Sequence, residues 1–264
     1  MTRTDTRIVT AALVVIGNEL LSGRTRDANL PYLAERLNDL GLRLREVRVV
    51  PDEQAEIVAA VNALRASHDY VFTTGGIGPT HDDITAAAIA KAFDVPLERN
   101  PQAVARMEAY YAGGALSLNK ARLRMASMPV GARLIDNPVS GAPGFQIENV
   151  LVLAGVPRIM QAMFEGVKHR LRGGAPMLTR TVAVDLPEGA IAETLSTVQD
   201  RHAGVEIGSY PYYRSRDFGV KLVLRAADAP ALSAATADLI TALTDLGAVA
   251  EEESGEAGDG RGSL

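Results

Sequence analysis

Residues 72 to 93 read FTTGGIGPTHDDITAAAIAKAF, and they bring three glycines close to a pair of carboxylates. Gly75, Gly76 and Gly78 leave room for backbone N–H groups to approach an anion, and a following helix would turn its positive end toward the same point. Asp82 and Asp83 would repel that anion. A divalent cation reconciles the two halves, because hard cations take carboxylate oxygens and bridge them to phosphates. Metal-assisted chemistry on a phosphate ester is what this combination can do. Each part also has a plainer role. Many strand-to-helix turns need glycine for its backbone angles alone. Thr80 and Asp83 have the spacing of a capping-box variant, and acids in a first helical turn favour the helix dipole. His81 reads as a loop hydrogen-bonder, since no second histidine lies nearby in sequence.

Other candidates lie elsewhere in the chain. Asp52, in VVPDEQ, could supply another carboxylate or cap the helix that PDEQAEIV opens. Glu19, in GNELLSG, either serves the site or is a solvated loop acid. Lys120 would meet a phosphate if its segment folds over the sheet edge; otherwise Lys120 and Arg122 form a solvated helix face. No Walker-type lysine follows the glycines, and their spacing is not G-x-G-x-x-G. The absence of G-x-S-x-G disfavours a nucleophilic hydrolase. Without cysteine, disulfides and thiolate metal sites are excluded.

The elements that must position these residues alternate. IVTAALVVI, from Ile8, is a continuous apolar run typical of a strand covered on both faces. Leu30, Leu33, Leu37 and Leu40 keep helical spacing before Gly41. LRLREVRVV, a helical stripe at Ile57, Val61 and Leu64, the strand YVFTT and a helix through Ile89 follow in turn. Such alternation predicts parallel βαβ units with helices on both faces, and ligands in these sheets bind outside the carboxyl ends of the strands. Residues 96–128 read as a helical excursion. Short strands with a hairpin turn at Asn149 come next, then a helix from about Pro157 to Leu171.

RGGAP, residues 172–176, marks a boundary, and a small βαββα unit follows it. The expected organisation is 1–173, 176–250 and a disordered acidic tail at 251–264. The chain's 264 residues are 47% hydrophobic, enough for a sizeable core, with a formal charge of -5. There is no broad basic footprint, and aromatics are 5% with no tryptophan, so nucleic acid is not an expected partner. The apolar run near the amino terminus is too short to cross a bilayer, and it lacks a signal-peptide cleavage pattern; a cytoplasmic protein without a membrane partner is expected. The apolar stripe from Leu232 to Leu246 offers a packing surface, from which a homo-oligomer, a dimer, is expected.

Five stretches then fit together. VIGNELLSGRTRDANLPYLAERL, VPDE, TTGGIGPTHDDIT, NKARLRMASMPVGARLIDNPVSGAPGF and LVLAGVPRIMQAMF resemble, in this order, the competence/damage-inducible protein A (CinA) family. The resemblance covers residues 8 to about 170, and EIGSYPYYRSRDFGVKLVLR looks like the small domain that follows in CinA-like chains. It implies a three-layer αβα molybdopterin-binding-like fold with a mainly parallel sheet, followed by a small α+β domain. It also implies divalent-metal-dependent hydrolysis of ADP-ribose, or of a related nucleotide diphosphate such as FAD. The alternative is a module that binds molybdopterin, or another pterin phosphate, without hydrolysis. Asp52 and Asp83 match two acids of the molybdopterin-binding relatives and are assigned as catalytic and as metal ligands, with Mg2+ or another divalent cation. Glu19, Asn29, Thr74, Gly75, Gly76, Gly78, Asp82 and Lys120 are assigned to the substrate. The chain departs from the family pattern in lacking the carboxy-terminal deamidase domain, so deamidation is not expected. It also has DAN where D-[ST]-N is common, and Ile159 where an acid is common.

Overall fold

The computed structural model describes residues 8–112, 117–214 and 217–253, and the chain divides into two compact units, Met1–Ala175 and Pro176–Leu264. Residues 254–264, most of the expected acidic tail, lie outside the described residues.

In the first unit, β1 (Val9–Ile16), α1 (Asn18–Leu21), α2 (Asn29–Asp39), β2 (Leu42–Val50), α3 (Gln54–Ser67), β3 (Tyr70–Thr74) and α4 (Thr85–Ala92) follow one another. Next come β4 (Leu97–Arg99), α5 (Pro101–Ala112), α6 (Lys120–Leu123), β5 (Ser127–Pro129), β6 (Arg133–Ile135), β7 (Gly144–Ile147), β8 (Val150–Leu153) and α7 (Pro157–Val167). The main sheet has the order β2-β1-β3-β8-β7-β6. Its first four strands are parallel and β7 pairs antiparallel with both β8 and β6, the mainly parallel sheet that the alternation predicts. The continuous apolar run of β1 has a direct cause. Ala12, Val14 and Ile16 pack with α3, α4 and α5 on one face, while Ala11, Leu13 and Val15 pack with α2 and α7 on the other. Both faces are covered, so the strand needs no polar side. Each fully buried side chain such as Leu13, Ile57 or Phe164 contributes roughly 1.5–3 kcal/mol.

Residues 96–128 differ from the helical reading at both ends. β4 pairs antiparallel with β5, closing the α5–α6 excursion at its base. Pro96 disfavours helix at the residue before it and cannot extend the helix of α4, so the chain leaves extended. Asn100 then restarts a helix by accepting the N–H groups of Gln102 and Ala103 at 2.9 and 3.1 Å. Asn149 does sit in the β7–β8 turn, where its amide donates to the carbonyls of Arg65 and His68, each at 3.0 Å.

The second unit contains β9 (Leu178–Val184), α8 (Glu188–Arg201), β10 (Glu206–Arg214), β11 (Asp217–Ala226), α9 (Ala229–Asp245) and β12 (Ala250–Glu252), in the sheet order β10-β11-β9-β12. This is a βαββαβ arrangement of the ferredoxin-like kind. Two sequence expectations are corrected here. Glu251 and Glu252 do not begin a disordered tail: they pair with β9, and Glu252 and Glu253 meet Arg180 and Lys221 at 3.3 and 2.6 Å. The acid run that suggested disorder is matched by bases on neighbouring strands. The stripe from Leu232 to Leu246 is mostly not a free surface, because Leu232, Leu239 and Leu243 are buried in the unit's own core and Leu246 is the exposed end of it.

Candidate functional site

Because β1, β3 and β8 are parallel, their carboxyl ends share one edge of the sheet. The chain steps from β1 to β2 on one side and reaches β3 on the other, so the crevice between the ends of β1 and β3 is a topological switch point, where ligands bind in such sheets. A cleft of about 570 Å³ opens there. It falls within the roughly 300–1,000 Å³ usual for small-molecule sites. Glu19 and Thr25 line it after β1, Gly75–Pro79 and Asp83 after β3, and residues 154–157 with Ile159 after β8. Tyr111, Arg122 and Met125 from the α5–α6 excursion complete it with Asn137, Ser140 and Ala142.

The glycines serve the backbone first. Gly75 has φ 104°, and a Cβ there would overlap the carbonyl oxygen of Ile16. Gly76 has φ 65°, and a Cβ would overlap the hydroxyl of Thr85. That hydroxyl donates to the Gly75 carbonyl at 2.9 Å, and the Thr85 N–H donates to the Gly76 carbonyl at 3.0 Å. At Gly78 a Cβ would meet the Asp83 carboxylate at 2.6 Å, so this glycine makes room for an aspartate rather than for a phosphate.

Asp83 is not a helix cap. The helix α4 begins at Thr85, its N-cap is Ile84, and no side chain caps it. Asp83 instead closes the loop on itself: Oδ1 accepts the Gly78 N–H at 2.6 Å and Oδ2 the Thr80 N–H at 2.7 Å. The Thr80 hydroxyl lies 2.5 Å from both Asp83 Oδ2 and Asp82 Oδ1, and its one proton serves one of them at a time. That hydroxyl holds the Asp82 carboxyl below the ordinary carboxylate range. Among the described residues, the backbone N–H groups of Gly76 and Ile77 make no hydrogen bond. Both residues line the cleft, which sets these two donors apart from the rest of the loop.

The other predicted residues divide. Glu19 lines the cleft, and its carboxylate makes no hydrogen bond or ion pair with the described residues. Asp52 does not line it; Oδ2 accepts the N–H of Asn18 at 2.9 Å, so it caps the start of α1 and not α3. Asn29 and Thr74 are buried and line an adjoining hollow of about 60 Å³ that Glu19 shares. Asn29 donates to the Gly155 carbonyl at 2.8 Å, whereas Asn29 Oδ1 and Thr74 Oγ1 are buried with no protein partner. His81 is almost fully exposed, and Lys120 is exposed and outside the cleft lining. Arg122, two residues on, lines the cleft in its place.

Tyr111, Asn137 and Ser140 were not singled out from sequence. Asn137 could have been: NPVSG has the composition of an Asx turn. Its Oδ1 accepts the N–H groups of Val139 and Ser140 at 3.1 and 3.0 Å, shaping the wall. Tyr110 braces the same loop by donating to the Val139 carbonyl at 2.8 Å, with its ring against Gly141.

Among the described residues, no group of three or more His, Asp or Glu side chains could hold a metal ion. Asp83 has one lone-pair position left on Oδ1, and Glu19 has all of its own. This set fits a cation that arrives with phosphate oxygens of its own, as Mg2+ does, and not a cage built from protein alone. No helix among the described residues is long and apolar enough to cross a membrane.

Comparison with known proteins agrees with this architecture. Residues 12–173 match the family model described as a probable molybdopterin binding domain, and residues 176–252 match the middle domain of FAD synthase. A protein of Pyrobaculum calidifontis is 38% identical over 211 residues, which cover 76% of this chain and 80% of that one. A probable FAD synthase of Caenorhabditis elegans is 31% identical over 261 residues, 90% of this chain; the chain spans 50% of that enzyme's length. The crystal structure of CinA from Thermoplasma acidophilum, described as of unknown function, superposes with a TM-score of 0.57 at 34% identity, over 62% of this chain and 98% of that one. By the match of its first unit and by this likeness, the chain belongs to the CinA-like family of molybdopterin-binding-like domains.

Proposed function

We propose that the cleft binds a nucleotide diphosphate of the ADP-ribose or FAD type and hydrolyses its diphosphate with a divalent cation. One observation carries the reading: two free backbone N–H groups, of Gly76 and Ile77, line the same cleft as the uncommitted carboxylate of Glu19. Donors alone would suit any anion; an acid beside them suits phosphate with a cation between. The likeness to FAD synthases supports the nucleotide class.

In this reading the Gly76 and Ile77 N–H groups hold a phosphate oxygen and stabilise the charge that grows there as the bond breaks. Asp83 keeps those donors aimed by locking Gly78 and Thr80, and its last lone pair is available to the ion. Glu19 accepts a proton from the attacking water or joins in holding the ion. Asp52 fixes Asn18, and with it the turn that carries Glu19. When bound, a divalent cation supplies Lewis-acid stabilisation of phosphate charge and a more acidic water.

The test is direct: purified protein is incubated with ADP-ribose or FAD and Mg2+ or another divalent ion, and AMP is followed by chromatography. Turnover abolished by a chelator is expected. Absence of AMP with every substrate and ion sinks the hydrolase reading. A second reading, a pterin-phosphate binding module without hydrolysis, is favoured by the family description of residues 12–173 and by the lack of a three-ligand cluster among the described residues. Tight pterin-phosphate binding without turnover would decide for it.

A further inference from the structure

Arg122 is the one basic side chain among the described residues that line the cleft, where it shares the wall with two acids, Glu19 and Asp83. Its surroundings are unusual for an arginine. No carboxylate pairs with it among the described residues. It is held by contacts that leave its charge intact: an N–H donates to the Ser117 carbonyl, and the guanidinium lies over the Tyr111 ring, 5.1 Å from its centre. The Tyr111 ring is in turn fixed edge-to-face against Tyr110, 5.3 Å away. Tyr110 is tied to the loop that carries Asn137 and Ser140 of the cleft lining. An aromatic face supports a cation without neutralising it. The first turn of α6 is fixed as well, since Asn119 Oδ1 accepts the Arg122 N–H at 2.9 Å.

We propose that Arg122, seated on Tyr111, is the residue that selects diphosphate-bearing ligands at this site, in the role expected of Lys120 if its segment folded over the sheet edge. The inference rests on the nucleotide-diphosphate reading for the identity of the ligand, but not on hydrolysis. Charge decides the argument. One divalent cation balances the two acids, which leaves the charge of the diphosphate itself to two N–H dipoles on the Gly76–Ile77 turn. A guanidinium already ordered on an aromatic ring supplies a full positive charge and a planar fork of donors that matches phosphate oxygens. Its order also means that little side-chain entropy is lost on binding. The ligand class that follows carries at least two adjacent phosphates, one for the turn and one for Arg122.

The test compares wild type, Arg122→Ala, Arg122→Lys and Tyr111→Ala in equilibrium binding of ADP-ribose, inorganic pyrophosphate and adenosine, with Mg2+ present. Arg122→Ala is expected to weaken ADP-ribose and pyrophosphate by roughly 10- to 100-fold, the scale of lost charge-assisted hydrogen bonds. Adenosine binding should not move. Arg122→Lys should recover part of the loss, and Tyr111→Ala should lower phosphate affinity while the charge remains. Equal affinity of wild type and Arg122→Ala for both phosphate ligands overturns the proposal. So does an equal loss for adenosine, which would make Arg122 a shaper of the wall. A protein that hydrolyses nothing yet binds pyrophosphate through Arg122 would overturn the hydrolase reading and leave this one standing.

Discussion

At the scale of single residues, the aspartate that seemed to oppose a phosphate site is the one that builds it. Asp83 spends both oxygens on backbone donors of its own loop, and Gly78 is glycine because that carboxylate occupies the place of a side chain. Asparagine would be a near-equal substitute at a helix cap. Here it is not, because one of its two terminal atoms is an NH2 that must face either the Gly78 or the Thr80 N–H. Asp83→Asn should therefore keep the fold and its far-ultraviolet dichroism while diphosphate hydrolysis falls by about 100-fold or more, the scale of a lost preorganised electrostatic contact. Gly78→Ala should reproduce much of that loss by displacing the carboxylate. Wild-type turnover in Asp83→Asn, measured at saturating metal, would show that the latch is dispensable.

At the scale of elements, what could be read from sequence was whatever local chemistry dictates. The run of β1, the stripes of α2 and α3 and the proline start of α7 each follow from residue type and period, and all are present. Less legible were features whose cause lies far off in the chain. The β4–β5 pair depends on strands 28 or more residues apart, and β12 is held by bases on β9 and β11 that no local window contains. The site followed the same rule: the glycine turn and Asp83 stood out together in sequence, whereas Tyr111 reaches the cleft only through the α5–α6 excursion. Local strain gives an element-level prediction. Gly75 and Gly23 both have positive φ, but a Cβ on Gly75 overlaps the end of β1, while one on Gly23 meets nothing within 4 Å. Gly23→Ala should cost about 1 kcal/mol or a little more from backbone strain alone. Gly75→Ala should exceed it clearly, since strand ends must part to admit the methyl. Urea denaturation of the two variants orders them, and equal midpoints would contradict the close approach.

At the scale of the whole molecule, the chain up to Glu253 is held by ion pairs and a backbone ladder. Ala250–Glu252 adds a strand to β9, and the Glu253 N–H donates to the Thr181 carbonyl at 2.9 Å. The sequence that follows Glu253, SGEAGDGRGSL, has few apolar side chains to bury. Deletion after Glu253 should leave the melting temperature and activity within error of the full chain. Deletion after Val249 should lower the melting temperature by several degrees, because β9 loses a partner. A matching loss from the shorter deletion would mean that the last residues dock.

The division into two units leads to the broadest prediction. Every residue that lines the cleft lies before Ala175, so the chemistry proposed above belongs to the first unit. The solved CinA chain is matched over 98% of its length by 62% of this one, so a chain of about that extent has an ordered structure. The cut must respect local contacts. The Gly174 N–H donates to the Gly41 carbonyl at 3.1 Å, and Gly173 packs so closely on the Leu40 carbonyl that a Cβ would overlap it. A break at Gly173 would strip the α2–β2 turn of its cover, whereas a break after Ala175 spares it. A fragment ending at Ala175 should unfold cooperatively and bind ADP-ribose with the affinity of the full chain. One ending at Arg172 should melt earlier with the same cleft. Calorimetry gives the melting temperatures and titration the affinities. If the longer fragment is folded but no longer binds, the second unit takes part in the site, and the assignment of the cleft to the first unit alone fails.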